Sequence, residues 1–255
     1  MIETARAAVM STAGLGLRIR GAVIVDDVTL DVNEGEFLVI IGPNGAGKTT
    51  LFNLLSGVTR PTAGRIVFCG NDITAAPPYV RARLGIGRTF QTSTIFSELT
   101  ALENTRLAAQ AYLGGSNRLW VLADNQHEPL ARAHAALASV GLEQRAGAKA
   151  ASLSHGEKRK LDLAILLCGD PQLVLLDEPT AGLAVEDVPE MMALIRSIHR
   201  DQHKTVLMVE HRMDLVMELA DRMAVMHHGS LLAIDTPDRI IANETVQSAY
   251  LGDPL

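Results

Sequence analysis

One octapeptide constrains the fold of this chain more than any other feature: Gly42-Pro-Asn-Gly-Ala-Gly-Lys-Thr49. It fits the pattern of a phosphate-binding loop (P-loop), a glycine and four free positions followed by Gly-Lys-Thr. The apolar run Phe37–Ile41 precedes it, and Thr50–Leu55, which is typical of a helix, follows it. A strand, loop and helix in this order point backbone N–H groups and the helix dipole at one spot. This arrangement favours a phosphate site over a glycine-rich turn that binds nothing.

The residues of this loop have distinct predicted roles. Glycines let the backbone approach phosphate oxygens because they carry no side chain that would collide with them. Lys48 would reach the β- and γ-phosphates of a nucleotide, and the Thr49 hydroxyl would hold Mg²⁺. The predicted nucleotide-binding residues are Gly42, Pro43, Asn44, Gly45, Ala46, Gly47, Lys48, Thr49 and Thr50.

A second pattern is the run Leu173-Val-Leu-Leu-Asp-Glu178, in which apolar residues end abruptly in two carboxylates. A central parallel strand has this composition where its carboxyl end meets a nucleotide. Asp177 would hold hydrated Mg²⁺ beside Thr49, and Glu178 would polarise the attacking water. In isolation the pair could equally be a solvated turn after a strand, and the P-loop makes that interpretation the weaker one.

A third pattern, Leu153-Ser-His-Gly-Glu157, leads into the helical stretch Lys158–Leu167. A serine at a helix start caps backbone N–H groups, and the remaining free N–H groups can accept a phosphate. Taken alone, the segment is an ordinary capped helix and only weak evidence for a ligand site.

Composition and charge limit the possible partners and compartments. The formal net charge of −6 argues against nucleic-acid binding, which needs a basic surface. Cys69 and Cys168 lie far apart among apolar residues and are predicted to be buried free thiols. The N-terminal residues lack a signal-peptide pattern, and no apolar stretch approaches the roughly 20 residues that span a bilayer. We therefore expect a soluble chain whose membrane role would come through a partner.

Strand and helix patterns alternate along the chain, which predicts an α/β core. Residues 1–13 are predicted to be a flexible lead-in. Between Thr100 and Ala150, alanine and leucine replace β-branched runs, which predicts a helical insertion. Helices are also expected over Pro189–Arg200 and after Thr236-Pro237. The predicted strands are Val23–Val25, Val28–Val32, Phe37–Ile41, Arg65–Cys69, Leu173–Leu176, Thr205–Val209, Met223–Met226 and Leu231–Ile234.

With these patterns in order, the chain resembles the ATP-binding subunits of ABC transporters over nearly its whole length. The ordered motifs are Gly42–Thr49, Gln91, Leu153–Glu157, Leu173–Glu178 and His211. Within that family it is most similar to the subunits of branched-chain amino acid uptake systems and their relatives for urea and short amides. The residues behind this narrower resemblance are Gly87–Gln91, Phe96, Leu99-Thr100, Leu102–Asn104, Leu176–Leu183 and Ala249–Gly252.

The resemblance implies the fold of an ABC ATPase, an α/β P-loop ATPase core with a mainly parallel sheet. An N-terminal antiparallel β part and an inserted helical subdomain complete the expected fold. The expected domain is 14–255, with its core at 14–90 and 160–255 and the helical insertion at about 91–159.

The resemblance also assigns roles to residues that chemistry alone leaves open. Gln91 would touch Mg²⁺ and the attacking water, so the implied metal ligands are Thr49, Gln91 and Asp177. His211 would contact the γ-phosphate, and the implied catalytic residues are Glu178, His211, Gln91 and Lys48. Ser154, His155, Gly156 and Glu157 would complete the nucleotide site of a facing subunit, in trans.

The implied ligands are ATP and Mg²⁺, and the implied activity is ATP hydrolysis that powers uptake of amino acids or related small solutes. The expected partners are integral membrane permease subunits, a second ATP-binding subunit, identical or related, and indirectly a solute-binding protein. The expected location is peripheral, on the cytoplasmic face of the cell (inner) membrane.

Several departures from the family pattern are visible. His155 and Glu157 replace the commoner Gly and Gln of the signature, as similar replacements do in the amino acid and urea branch. Ile19 stands where family members usually place an aromatic residue under the adenine, and Ala184 stands where a polar residue often follows Ala-Gly-Leu. Two other functions stay open at this point. The chain could be a soluble ABC-type ATPase unconnected with transport, or a nucleotide-dependent regulator that does not hydrolyse ATP.

Overall fold

The secondary structure comes from a computed structural model, which describes residues 7–89, 95–113 and 127–251. The strands in that part of the chain are β1 (Ala8–Ile19), β2 (Ala22–Asn33), β3 (Phe37–Ile41), β4 (Ala63–Phe68), β5 (Asn71–Asp72), β6 (Ile86–Arg88), β7 (Leu173–Asp177), β8 (Thr205–Val209), β9 (Arg222–His227) and β10 (Ser230–Asp235). The α-helices are α1 (Lys48–Leu55), α2 (Pro78–Leu84), α3 (Ala101–Leu113), α4 (His127–Ser139), α5 (His155–Leu167), α6 (Val188–Arg200), α7 (Met213–Leu219), α8 (Pro237–Ile241) and α9 (Glu244–Leu251).

Strand β3 lies inside a six-stranded sheet with the order β10-β9-β3-β8-β7-β6. Strands β6 to β9 and β3 run parallel, and β10 pairs antiparallel with β9. Both faces of this sheet are covered. Phe37, Val39 and Ile41 pack into one core and Leu38 and Ile40 into the other, which explains the unbroken apolar run of β3.

A second, antiparallel sheet has the order β2-β1-β4-β5. Its inward side chains share one core with helix α1 and one face of the central sheet. Helices α3 to α7 cover the opposite face, where Leu137, Leu161 and Ile195 are fully buried. The α/β fold with a mainly parallel sheet and an antiparallel N-terminal part is confirmed.

Several boundaries predicted from the sequence are wrong. Strand β1 begins at Ala8, so the flexible lead-in over 1–13 is contradicted from residue 8 onward. The two short strands expected at 23–25 and 28–32 are one strand, β2, because the pairing with β1 continues past Asp26-Asp27 with shifted register. Helix α2 and strand β6 had no periodic signal, since they span seven and three residues.

The helical region also differs in detail from the expected insertion. Helices α3 and α4 lie within the range 91–159, and α5 begins at His155 and crosses the expected boundary at 160. The division into a core and an inserted helical subdomain stays a prediction. Within the described ranges, no helix combines the length and apolar character that crossing a bilayer requires.

The two cysteines have different environments. Cys168 is a buried free thiol, as expected, and burial raises its pKa to about 12. Cys69 is exposed, which contradicts the prediction of a buried thiol. It follows β4 in a left-handed turn with φ 47°, and its thiol donates to Gln172 Oε1 over 3.1 Å. Ile66 and Phe68 form the buried face of β4, so the alternation of the strand already places residue 69 on the other face.

The carboxyl end of α1 is held by a buried arginine, Arg81 of α2, which is 1% exposed. Its guanidinium donates to the carbonyl oxygens of Leu54 and Leu55 over 2.7 and 2.8 Å. It also donates to the carbonyls of Thr74 and Ala76. The carbonyls of Leu54 and Leu55, the last of α1, have no partner inside the helix. Leu54 O also accepts from Gly57 N over 3.2 Å, so Arg81 matters most for Leu55 O.

We predict that Arg81→Met lowers the free energy of unfolding by about 3 kcal/mol, because it removes a buried guanidinium that donates to four carbonyls, among them Leu55 O at the end of α1. Arg83→Met, on the exposed side of the same helix, changes it by no more than about 0.5 kcal/mol and serves as the matched control. Urea unfolding followed by circular dichroism measures both values. Equal costs for the two variants would contradict the role assigned to Arg81.

Candidate active site

The P-loop connects β3 to α1 as the sequence predicted, and two of its glycines are required by geometry. Gly42 has φ 153°, and a Cβ there would lie 2.3 Å from Met226 O. Gly47 has φ 97°, and a Cβ would lie 2.9 Å from Ile24 O. No side chain caps the amino end of α1 at Gly47. The first-turn N–H groups of this helix therefore keep their capacity for an anion.

Lys48 folds back over this loop. Its ammonium group donates to Gly42 O over 2.7 Å and to Pro43 O over 2.9 Å. The residue is 6% exposed, and burial lowers the pKa of Lys48, while the carboxylates of Glu178 and Asp177 oppose that shift. The structure thus places the lysine of the P-loop within electrostatic reach of both predicted carboxylates.

Asp177 ends the buried strand β7, next to β8 and in the same sheet as β3. Its side chain is fully buried, and its Oδ2 accepts from Arg88 Nη2 over 3.2 Å. Its other oxygen, Oδ1, is buried with no hydrogen-bond partner among the described residues. Burial raises the pKa of Asp177, and the Arg88 guanidinium opposes that rise.

Glu178 and His211 form the second pair of the site. Glu178 has φ 51°, in the left-handed region that non-glycine residues rarely adopt, and its N–H donates to Val209 O over 3.0 Å. This backbone turns the carboxylate out of the strand direction, and Glu178 Oε1 lies 2.8 Å from His211 Nε2. Residues held in such conformations cluster at active sites. The pair is partly exposed, so water can reach it.

A buried carboxylate that the sequence analysis missed fixes the histidine loop. Glu210 is 3% exposed, and its Oε2 accepts from the Thr180 hydroxyl over 2.9 Å. Its Oε1 accepts from the backbone N–H groups of His211 and Arg212 over 3.1 and 3.4 Å. Glu210 therefore joins the loop that carries His211 to the loop that follows Glu178. Its place directly after a buried strand was the available signal.

The segment 154–157 is a complete capping box at the start of α5. Ser154 Oγ accepts from Glu157 N over 3.1 Å, and Glu157 Oε2 accepts from Ser154 N over 2.8 Å. Glu157 Oε1 also pairs with Arg145 Nε at 2.9 Å. The Ser154 backbone N–H is the main cause that lowers the pKa of Glu157. Ser154 and His155 are exposed.

The helix start packs against the loop after Glu178. A Cβ on Gly182 would lie 3.1 Å from His155 Nε2, and one on Gly156 would lie 3.4 Å from Asp187 Oδ2. The capping box therefore belongs to the same surface as residues 178–187. Ala184 is exposed on this loop, and Ile19 is 50% exposed at the end of β1.

The structure thus brings together part of the predicted set. Lys48, Asp177, Glu178 and His211 converge at the carboxyl edge of the central sheet, and Thr49 lies in the first turn of α1. Gln91 lies outside the described residues. The roles predicted for Ser154 and its neighbours need a second chain and stay predictions.

The residues present fit a nucleoside triphosphate with a divalent cation. The amino end of α1 supplies donors for phosphate, and a buried lysine supplies a positive charge. The unpaired Asp177 Oδ1 is a hard anionic oxygen of the kind that Mg²⁺ prefers. Thr49 and Asp177 are the described residues that would hold this ion.

Comparison with known proteins agrees with this chemistry. Residues 25–181 match the sequence model of the family described as ABC transporter. The chain is 37% identical to the high-affinity branched-chain amino acid transport ATP-binding proteins BraF of Pseudomonas aeruginosa and LivG of Escherichia coli. It is 33% identical to the lipopolysaccharide export system ATP-binding protein LptB of Escherichia coli. Each alignment covers 96% of this chain and 98% of the relative.

Solved structures show the same similarity. A nucleotide-free ATP-binding cassette from an ABC transporter has a TM-score of 0.85 and 27% identity, covering 97% of this chain and 100% of that chain. A dimeric cassette in a post-hydrolysis state, bound to ADP and Pi, has a TM-score of 0.76 and 25% identity over 89% of this chain and 98% of that one.

We predict that Glu157→Ala lowers the free energy of unfolding by about 1 kcal/mol near pH 7, because it removes half of the capping box. Glu157→Gln costs less than half of that, since glutamine keeps the bond to Ser154 N and loses only the ion pair with Arg145. Chemical unfolding at several pH values measures both.

The pH dependence of this cost has a defined sign. Because the native pKa of Glu157 lies below its ordinary value of 4.5, its carboxylate stabilises the fold fully above that pH. The contribution is lost as pH falls through the lowered native pKa, so the alanine variant approaches the parent protein there. A cost that grows toward acid pH would contradict the capping role.

Proposed function

The chain belongs to the ABC transporter family, and we propose from that premise that it is the ATP-binding and ATP-hydrolysing subunit of a membrane transporter. The observation that carries the proposal is the convergence of Lys48, Asp177 and the Glu178–His211 pair at one edge of the central sheet. A structural role alone does not account for a buried carboxylate oxygen that has no partner among the described residues.

The chemistry proposed for the site is phosphoryl transfer from ATP to water. Backbone N–H groups of residues 44–50 bind the phosphate oxygens, and the Lys48 ammonium neutralises charge that develops in the transition state. Thr49 and Asp177 would hold Mg²⁺, with Gln91 as an additional predicted ligand, and the bound ion would supply further charge neutralisation at the phosphates. The rate enhancement comes from orientation of the reactants and stabilisation of charge, rather than from a covalent intermediate with the protein.

Glu178 is the proposed general base. Its carboxylate accepts a proton from the water that attacks the γ-phosphorus, and the bond to the β–γ bridging oxygen breaks to release ADP and phosphate. His211, 2.8 Å from Glu178 Oε1, holds this carboxylate in position and reaches toward the γ-phosphate. Glu210 keeps His211 in place through its backbone N–H.

The functional unit proposed is a dimer of ATP-binding subunits. Ser154, His155, Gly156 and Glu157 of one chain would complete the nucleotide site of a facing chain. The exposure of Ser154 and His155 at a helix start supports this arrangement, because an exposed helix terminus can accept a phosphate. ATP would then bridge the two chains, and its hydrolysis would release them.

The proposed transporter is an importer of amino acids of the branched-chain type or of related small solutes. This follows from the relatives, since those with higher identity to this chain serve branched-chain amino acid transport. The membrane partners would be permease subunits on whose cytoplasmic face the chain sits peripherally. A solute-binding protein would act indirectly, through those permeases.

We predict that Glu178→Gln lowers ATP turnover by about 10²–10⁴-fold, because glutamine cannot accept the proton of the attacking water. ATP affinity measured by calorimetry stays within about threefold, since the P-loop is unchanged. Glu143→Gln, an exposed site in the turn 143–145, is the matched control and keeps parental turnover.

Two outcomes would overturn parts of this assignment. Parental turnover in Glu178→Gln would remove Glu178 as the base. Absence of ATP binding in the parent protein, with the same result for Lys48→Ala, would remove the nucleotide function altogether.

We predict that the chain copurifies with integral membrane subunits and that this complex, in proteoliposomes supplied from outside with the solute-binding protein, accumulates radiolabelled leucine when ATP is enclosed. Lys48→Ala in the same complex abolishes uptake, because it removes the ammonium group proposed to contact the phosphates of ATP. Assembly stays intact, since Lys48 is 6% exposed and folds over its own P-loop. Urea in place of leucine tests the related solute class. ATP turnover with no copurifying membrane subunit would favour a soluble ATPase instead.

A further inference from the structure

Arg88 links the two elements that carry the proposed Mg²⁺ ligands. Its Nη1 donates to Asn53 Oδ1 on α1 over 2.8 Å and to Oγ of Ser56, the C-cap residue of α1, over 2.7 Å. Its Nη2 donates to Asp177 Oδ2 over 3.2 Å, at the end of β7. The partners lie 35 residues before it, 32 before it and 89 after it in the chain. One guanidinium at the end of β6 therefore connects two other segments, the carboxyl end of α1 and the end of β7.

The environment of this guanidinium leaves it little freedom. The Arg88 side chain is 6% exposed and that of Asp177 is 0% exposed. The ring of Phe52, also on α1, lies under the guanidinium with its centroid 5.8 Å from the Arg88 Cζ. Ser56 donates its own proton to Phe52 O over 2.7 Å, so its oxygen is oriented to accept from Arg88. A planar group with bonds to two elements and a ring against its face holds one orientation.

The face of α1 that Arg88 contacts is the face that carries Thr49. Thr49, Asn53 and Ser56 are spaced four and three residues apart, so they lie along one stripe of the helix. Thr49 is one turn before Asn53 on this stripe. The bonds to Asn53 and Ser56 thus fix the rotation of the helix that presents the Thr49 hydroxyl.

Arg88 also leaves the second carboxylate oxygen unpaired. The guanidinium occupies Oδ2 of Asp177, and Oδ1 has no hydrogen-bond partner among the described residues. A carboxylate anchored through one oxygen presents the other in a defined direction.

We propose that Arg88 is a positioning residue for the metal site: it sets the spacing between Thr49 on α1 and Asp177 on β7 and orients Asp177 Oδ1 for a divalent cation. The inference deepens the function proposed above and rests on Asp177 holding that cation. Outer contacts of this kind typically tune metal affinity by about 10–100-fold.

Removing Arg88 changes the Mg²⁺ affinity in opposite directions through its charge and through its geometry, so the two roles can be told apart by experiment. A positive guanidinium beside a metal-binding carboxylate repels the cation, so its removal by charge alone would strengthen Mg²⁺ binding. Loss of orientation would weaken it. The direction of the change in Mg²⁺ affinity therefore distinguishes a positioning role from a competing charge.

The experiment uses the full-length chain and measures binding, not turnover. ADP affinity is measured by calorimetry in EDTA, and Mg²⁺ is then titrated into the ADP-bound protein. For Arg88→Met we expect ADP affinity without metal within about twofold of the parent, and Mg²⁺ affinity about tenfold weaker. The Mg²⁺ affinity of Arg88→Lys falls between those of the parent and Arg88→Met. A single ammonium reaches either Asp177 or α1, but it cannot bind both as the branched guanidinium does.

Two further variants serve as references. Asp177→Asn removes the anionic ligand itself and weakens Mg²⁺ binding at least as much as Arg88→Met. Arg81→Lys makes the arginine-to-lysine exchange at the second arginine that contacts the carboxyl end of α1, which binds carbonyls there and does not contact Asp177. It leaves the Mg²⁺ affinity of the ADP complex at the parental value while lowering the melting temperature.

The outcomes separate the inference from the function on which it rests. Unchanged or stronger Mg²⁺ binding in Arg88→Met, with weaker binding in Asp177→Asn, overturns the positioning role alone. Unchanged binding in Asp177→Asn overturns the metal site and the inference together. If Arg88→Met fails to fold, Asn53→Ala decides instead: it removes one bond of Arg88, and a threefold or greater loss of Mg²⁺ affinity supports the role while no loss overturns it.

Discussion

The candidate site depends on burying opposite charges at one edge of a parallel sheet. Lys48, Arg88 and Asp177 are taken out of water together, and burial disfavours the charged form of each. Each is compensated by a neighbour from a different segment, so no single segment could keep its charge buried alone. The topology is what permits this. Strands β3 and β7 both flank β8 and run parallel to it, so the residues that follow them meet at the same edge.

The sequence predicted the bounds of long or fully buried elements well and those of short or interrupted elements poorly. Strands β3 and β8 match their predicted bounds because both faces of the central sheet are covered, which makes each strand a continuous apolar run. Strand β2 was divided because Asp26 and Asp27 interrupt its alternation. The structure carries the strand through them with a shift of register and a left-handed Asp27 at φ 50°. A register shift depends on the partner strand, so one segment alone does not reveal it.

The site residues also divide into those that a local sequence pattern predicted and those that it did not. Lys48, Asp177 and Glu178 were predictable because a local pattern of spacing and burial points to each of them. The roles of Arg88 and Glu210 were not, since Asp177 lies 89 residues after Arg88 and Thr180 lies 30 residues before Glu210, although each residue stands next to a motif. Contacts between distant segments determine which polar residue becomes part of a site, and periodicity reports only on neighbours within one element.

The capping box shows how one residue can serve the fold and the site together. Ser154 Oγ accepts a hydrogen bond from Glu157 N, which uses a lone pair and leaves the hydroxyl proton available to donate outward. Aspartate would cap the helix about as well, but its charge would repel an approaching phosphate. A serine satisfies both requirements with one oxygen. Glu157 occupies the other half of the box and is held by Arg145, so its negative charge is turned toward its own chain. The exposed helix end therefore presents a hydroxyl donor and free N–H groups, which is the chemistry that the proposed dimer requires.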